Sequence, residues 1–188
     1  MPHHRLPARF SQTAAFFAAS AGASVTVLER TGEAGKKILM SGGTRCNVLP
    51  MAVDVSTDFQ TRGSQNAMKA VFRTWSLDGC HAWLEKDVGL ELAAEVETSK
   101  WFPASNSGRD VRDRLLSACE RRGVTVAYNA SVEGLRRSDD GGCFELDIAA
   151  REPRGSRLAG SRGVAGSGEP HPARVVRASR VVFASGEG

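Results

Sequence analysis

Apolar positions recur along the chain in helical and strand-like periods, separated by stretches with neither. Residues 12–21 are a run of small and aromatic side chains that predicts a short helix, with Ser11 placed to cap its start and Gly22 to stop it. The run 24–29 follows at once, and its Val25, Val27 and Leu28 suit a covered parallel strand. A helix feeding straight into a strand is the step of a doubly wound α/β unit.

Helical spacing returns at 65–75 and 77–87. Met68, Val71, Phe72 and Trp75 share one predicted face, which Trp83 and Leu84 extend. These aromatics read as core rather than as binding platforms. Short strands are predicted at 90–94 and 99–102, the second ended by Pro103. Ser107 and Asp110 have the spacing of a capping box before a helix over 108–122. On that helix Val111, Leu115, Ala118 and Cys119 lie on one side, with Arg112, Asp113 and Arg121 outward. Gly123 ends it, and a strand over 124–128 repeats the helix-to-strand step.

Asp139-Asp140-Gly141-Gly142 is a turn signal between strands at 131–137 and 143–149, a hairpin attached to the main sheet. Residues 151–173, rich in Gly, Arg, Ser and Pro, read as a flexible insertion. Strands are predicted again at 174–177 and 180–184. The expected organisation is a partial dinucleotide-binding domain over 1–150, the insertion over 151–173, and returning strands of the same domain over 174–188. The chain stops at Ser185-Gly186-Glu187-Gly188, directly after a strand with a buried character. That pattern is expected of a fragment ending before a substrate domain.

Composition narrows the function classes. The chain has 188 residues, 41% of them apolar and 24% charged, which suits one globular core. Net charge is +4, the arginines are scattered, and aromatic residues do not interleave with them, so nucleic acid is not an expected partner. No apolar run reaches membrane-spanning length, and no membrane partner is expected. Cys46, Cys80, Cys119 and Cys143 are widely separated with no CxxC, which points away from zinc and disulfides and toward a reducing compartment, cytoplasmic or organellar rather than secreted. The basic start, with His3, His4, Arg5 and Arg9, has some transit-peptide character, but the apolar run behind it leads into a strand as a buried first helix would.

Residues 31–63 lack sustained periodicity and carry Gly32, Gly35, Gly42, Gly43 and Gly63. So long a connection is expected to be functional. Glu29, ending the strand before it, is placed to accept the two hydroxyls of an adenosine ribose. Lys36, Lys37 and Arg45 are candidates to neutralise phosphates, while Ser41, Gly42 and Gly43 offer a hydroxyl and approachable backbone amides. Asn47 either fixes the turn or meets the ligand. Cys46, without a partner cysteine, reads as packing or cofactor lining. His3, His4, His81 and His171 carry no Ser-His-acid arrangement, and no general acid or base is assigned.

The segment from Glu29 to Asn47, with Gly-Lys-Lys-Ile-Leu-Met-Ser-Gly-Gly-Thr-Arg-Cys-Asn at its end, closely resembles the signature of the YhiN/BaiN-like NAD(P)/FAD-dependent oxidoreductase family. That family carries Ser-Gly-Gly-Gly-Arg-Cys-Asn, and Thr44 stands here for its third glycine. Lys100-Trp101-Phe102-Pro103-Ala104-Ser105 resembles a second family segment, and Val181 to Gly186 resembles the strand closing in Ala-Thr-Gly-Gly. The resemblance implies a Rossmann-type FAD-binding α/β fold with an attached hairpin or meander, and NAD(P)H as electron donor to an unknown organic acceptor. It implies FAD contacts at Glu29 and the 36–47 loop, adenine at the backbone of Val132, and pyrophosphate near Ala184, Ser185 and Gly186. Where the family has Gly-x-Gly-x-x-Gly, this chain has Leu6-Pro7-Ala8-Arg9-Phe10-Ser11. A non-catalytic nucleotide-binding or structural remnant is the alternative expectation.

Overall fold

Small side chains set the first element: a helix of mostly Ala and Phe packs beside the following strand, burying Ala15 and Phe16. The structure is a computed structural model describing residues 10–59, 63–149 and 174–184. Its elements begin with α1 (Phe10–Ser20), β1 (Thr26–Leu28), α2 (Lys36–Leu39), β2 (Leu49–Pro50) and α3 (Val55–Asp58). There follow α4 (Gln65–Thr74), α5 (Leu77–Trp83), β3 (Leu92–Glu95), β4 (Lys100–Pro103) and α6 (Gly108–Arg121). The chain continues through β5 (Thr125–Ala127), β6 (Ser131–Arg137), β7 (Phe144–Ala149) and β8 (Arg174–Ala178). This is an α/β Rossmann-type fold with parallel and antiparallel sheets.

The described residues divide into two compact units. One holds those up to Lys36 and from Cys119 onward; the other is Lys37–Ala118. In the first, α1 ends on Gly22, whose φ of 87° lets the Gly22 and Ala23 amides return to the helix carbonyls of Ala19 and Ala18. The chain then enters β1, which pairs in parallel with β5, Val27 opposite Val126 and Leu28 opposite Ala127. The two helix-to-strand steps that the sequence pattern predicts are present, and their strands lie side by side. Val25, Val27 and Leu28 are only half-buried rather than covered, because the sheet they enter has two strands among the described residues.

The predicted hairpin forms, β6 against β7, with a register shift between Val132 and Gly134. β8 adds antiparallel to β7, making a three-stranded meander. Ala127, Ala130 and Ile148 form a small core with Leu28 and Val176 packed on it, so the parallel pair and the meander share apolar contacts. Residues 180–184 take no strand, contrary to the sequence pattern, and Val182 is 72% exposed. An apolar run becomes a strand only where a neighbour accepts its backbone bonds, and none does among the described residues. The stretch 151–173 lies outside the described residues, as do Ser185 and Gly186.

In the second unit β2, β4 and β3 form an antiparallel sheet in that order. The stretch 31–63 is more regular than its pattern suggests, holding α2, a tight turn at Gly42–Thr44, β2 and α3. α4 buries none of its residues: Val71 is 59% exposed and Trp75 caps its end at the surface. The core aromatics of this unit are Trp83 and Phe102, so the shared face of α4 misjudges Trp75. Periodicity reports an apolar face, not what covers it. α6 starts as predicted, but Arg112, expected outward, is buried, and the capping box is one-sided. The Asp110 amide reaches Ser107 Oγ at 3.5 Å, while the Asp110 carboxylate accepts from Ser105 Oγ and Arg114.

Candidate functional site

Glu29 follows directly on β1, where strand pairing hands over to a turn. Its N–H donates to the Ala127 carbonyl and its own carbonyl accepts from the Ala130 N–H, both at 2.9 Å. Thr31 continues the bracket, its carbonyl accepting from Asn129 N–H at 3.1 Å. Asn129 takes a left-handed φ of 54°, which an Asn tolerates better than a β-branched residue. The backbone therefore fixes Glu29 against the turn between β5 and β6.

The Glu29 carboxylate is half-buried, and its Oε1 accepts from the Thr31 N–H at 2.9 Å and the Thr31 hydroxyl at 2.8 Å. Both bonds fall on one oxygen. The carboxylate is thus oriented through Oε1. Val132, two residues beyond Ala130, pairs with Ile148 and is 39% exposed. Glu29 and Val132 consequently belong to one corner of this unit. Thr31 and Asn129 are functional-looking residues that the sequence reading missed; a Thr two positions after the acid was the available signal.

Lys36 is exposed and Lys37 half-buried at the start of α2. From Lys37 on, the candidate loop belongs to the second unit. There Ser41 Oγ donates to the Ile38 carbonyl, and the Ser41 carbonyl accepts from Cys46 N–H at 3.1 Å, closing the turn. Within it Gly43, Thr44 and Cys46 have φ of 62°, 76° and 62°. Gly42 opens the tight turn, Cys46 is buried, and Asn47 is half-buried as the chain leaves toward β2.

The Arg45 guanidinium has protein partners. Nη2 pairs with the Glu95 carboxylate, Nε donates to Asn106 Oδ1 at 3.1 Å, and the group lies 4.1 Å over the Phe102 ring. Arg45 in turn holds the Glu95 carboxyl below its ordinary range, helped by Thr98. Glu95, Phe102 and Asn106 carry no sequence signal of this role, since only the folded β3–β4 sheet brings them to the turn. Gly108 packs under the same turn: a Cβ there would lie 2.8 Å from the Thr44 carbonyl oxygen and 3.2 Å from that of Ile38.

Ala184, half-buried, belongs to the first unit and closes no regular element. Among the described residues no group of His, Cys, Asp and Glu is arranged to hold a metal ion. No helix among them is long and apolar enough to cross a membrane.

A family model described as the HI0933-like protein Rossmann domain matches residues 12–168. An Escherichia coli (strain K12) protein described as ribosomal RNA dihydrouridine synthase is 30% identical over 141 residues, 70% of this chain. The chain spans 31% of the length of that relative. A crystal structure of Thermovibrio ammonificans THI4 matches with a TM-score of 0.43 at 14% identity, over 73% of this chain and 43% of that one.

Proposed function

This chain belongs to the HI0933-like Rossmann-domain family of FAD-linked oxidoreductases, and on that premise we propose that it contributes the FAD-holding part of a reductase. In one unit Glu29 holds the adenosine ribose through Oε2, with Val132 beside the adenine; in the other, taken by itself, the backbone of the 41–47 turn is a cofactor contact. Lys36 and Lys37 are the candidates for its phosphates, each within its own unit, and the sequence at Ala184, Ser185 and Gly186 is the candidate for its pyrophosphate. The observation that carries this reading is the acid at the end of a parallel strand, its carboxylate already oriented on one oxygen. The narrower resemblance to the YhiN/BaiN-like group belongs to the same proposal.

The residues present fit the adenosine end of FAD better than its pyrophosphate. Residues 6–11 contain no glycine, so the close backbone approach a dinucleotide makes at the first helix has no counterpart in this sequence. Bound FAD supplies hydride-transfer chemistry, and NAD(P)H is the proposed electron source. This chain's own share is binding and orientation.

For the acceptor we take the activity in the E. coli relative's description. A uracil ring in ribosomal RNA becomes dihydrouridine when its C5=C6 double bond gains a hydride and a proton. RNA thus enters as substrate of the whole protein, against the composition reading. The second reading, a non-catalytic remnant, is favoured by the glycine-free residues 6–11. Mixing the purified chain with FAD and passing it through gel filtration separates the two. Flavin colour coeluting with protein supports the proposal; a colourless protein peak supports the remnant.

A further inference from the structure

We infer that Arg45 is a strut rather than a cofactor ligand, and that Glu95, acting through it, is a positioning residue for the turn at 43–46. The inference rests on reading that turn as a cofactor contact. Gly43, Thr44 and Cys46 all lie in the left-handed region, which is costly for the two residues that carry a Cβ. Such a run persists only where surrounding contacts over-determine it. Besides the Ser41–Cys46 backbone bond that closes the turn, Arg45 makes such contacts through its side chain.

Its guanidinium is held on three sides, by the Glu95 carboxylate, by Asn106 and by the Phe102 ring. Phe102 is itself buried in β4, and Glu95 ends β3 opposite Lys100 in the same sheet. Two of the three anchors therefore belong to sheet, while Asn106 lies in the short connection from β4 to α6. A guanidinium that reached for a phosphate would leave a carboxylate behind, close enough to repel the same phosphate. Beneath the turn, the first residue of α6 has no room for even a methyl group, its Cβ position meeting the carbonyl oxygens of Thr44 and Ile38. Clamped on the guanidinium side and backed by Gly108, the turn presents backbone rather than charge.

The two roles of Arg45 predict opposite signs. FAD affinity of the full chain is measured by fluorescence titration for wild type, Arg45→Ala, Glu95→Gln and Glu95→Ala. If Arg45 is a strut, all three variants bind FAD tenfold or more weakly. Tighter binding by Glu95→Ala, which frees the guanidinium and removes a competing anion, overturns the inference. Hydrogen exchange without FAD gives a second reading: amides 43–46 exchange tenfold or more faster in Glu95→Ala, while α6 keeps wild-type protection. Unchanged exchange overturns the inference as well. Failure of the wild-type chain to take up FAD would defeat the proposed function, yet the exchange measurement would still decide the role of Glu95.

Discussion

Glu29 and Ala130 are joined through the backbone, the Ala130 N–H donating to the Glu29 carbonyl at 2.9 Å. The acid at the end of β1 is thereby held by the turn leading into β6, independently of its own side chain. Changing the side chain leaves this support in place. Glu29→Ala is expected to weaken FAD binding by about 1–3 kcal/mol, the loss of charge-assisted bonds to a ribose, with the urea midpoint moved far less. An unaltered dissociation constant would remove Glu29 from the site.

Gly108 sets helix propensity against packing. Alanine is better than glycine inside a helix by about 1 kcal/mol, but Gly108 stands at the first position of α6. Its Cβ would meet two backbone carbonyl oxygens that cannot swing aside. Crowding of this kind costs about 1–3 kcal/mol, so Gly108→Ala is expected to be net destabilising by denaturant titration. A more stable variant would show that the turn yields.

Burial pushes the Cys119 thiol up to about 11 and the Cys80 thiol likewise, from an ordinary value of 9.0. The sign follows from which state ionises first. Between pH 9.0 and about 11 the unfolded chain releases these protons while the folded chain keeps them, so stability falls as pH rises through that window. Urea midpoints measured from pH 8 to 11 (roughly the thiol range) should decline, and the decline should be shallower in Cys119→Ala. Equal slopes would place the base sensitivity elsewhere.

Trp75 and Trp83 touch edge to face at 5.6 Å, yet only Trp83 is buried. Trp83→Ala should therefore cost about 3–5 kcal/mol, as a large core truncation does. Trp75→Ala should cost on the order of 1 kcal/mol, mostly the lost ring pair. Comparable losses at the two positions would mean that Trp75 is covered by more than this structure shows.

The turn chemistry of Asp139 to Gly142 dictated the β6–β7 hairpin, and small or glycine residues at 22 and 123 dictated where two helices end. Those signals are local, carried by backbone conformations that few residue types tolerate, so they are legible without the fold. Glu29 became a candidate for the same reason: strand, acid and glycine-bearing loop are consecutive.

By itself, then, the sequence determined most helices and strands outside 31–63 and 180–184, where the acid stands, and which turn is rich in glycine and charge. Tertiary structure alone decided that Asn129 braces the turn after the acid, that Glu95 and Phe102 occupy Arg45, and that Trp75 lies at the surface. Each of these depends on residues distant in sequence or on what covers a face. Periodicity encodes a residue's direction from its own element; its partner is set only when sheets and turns close.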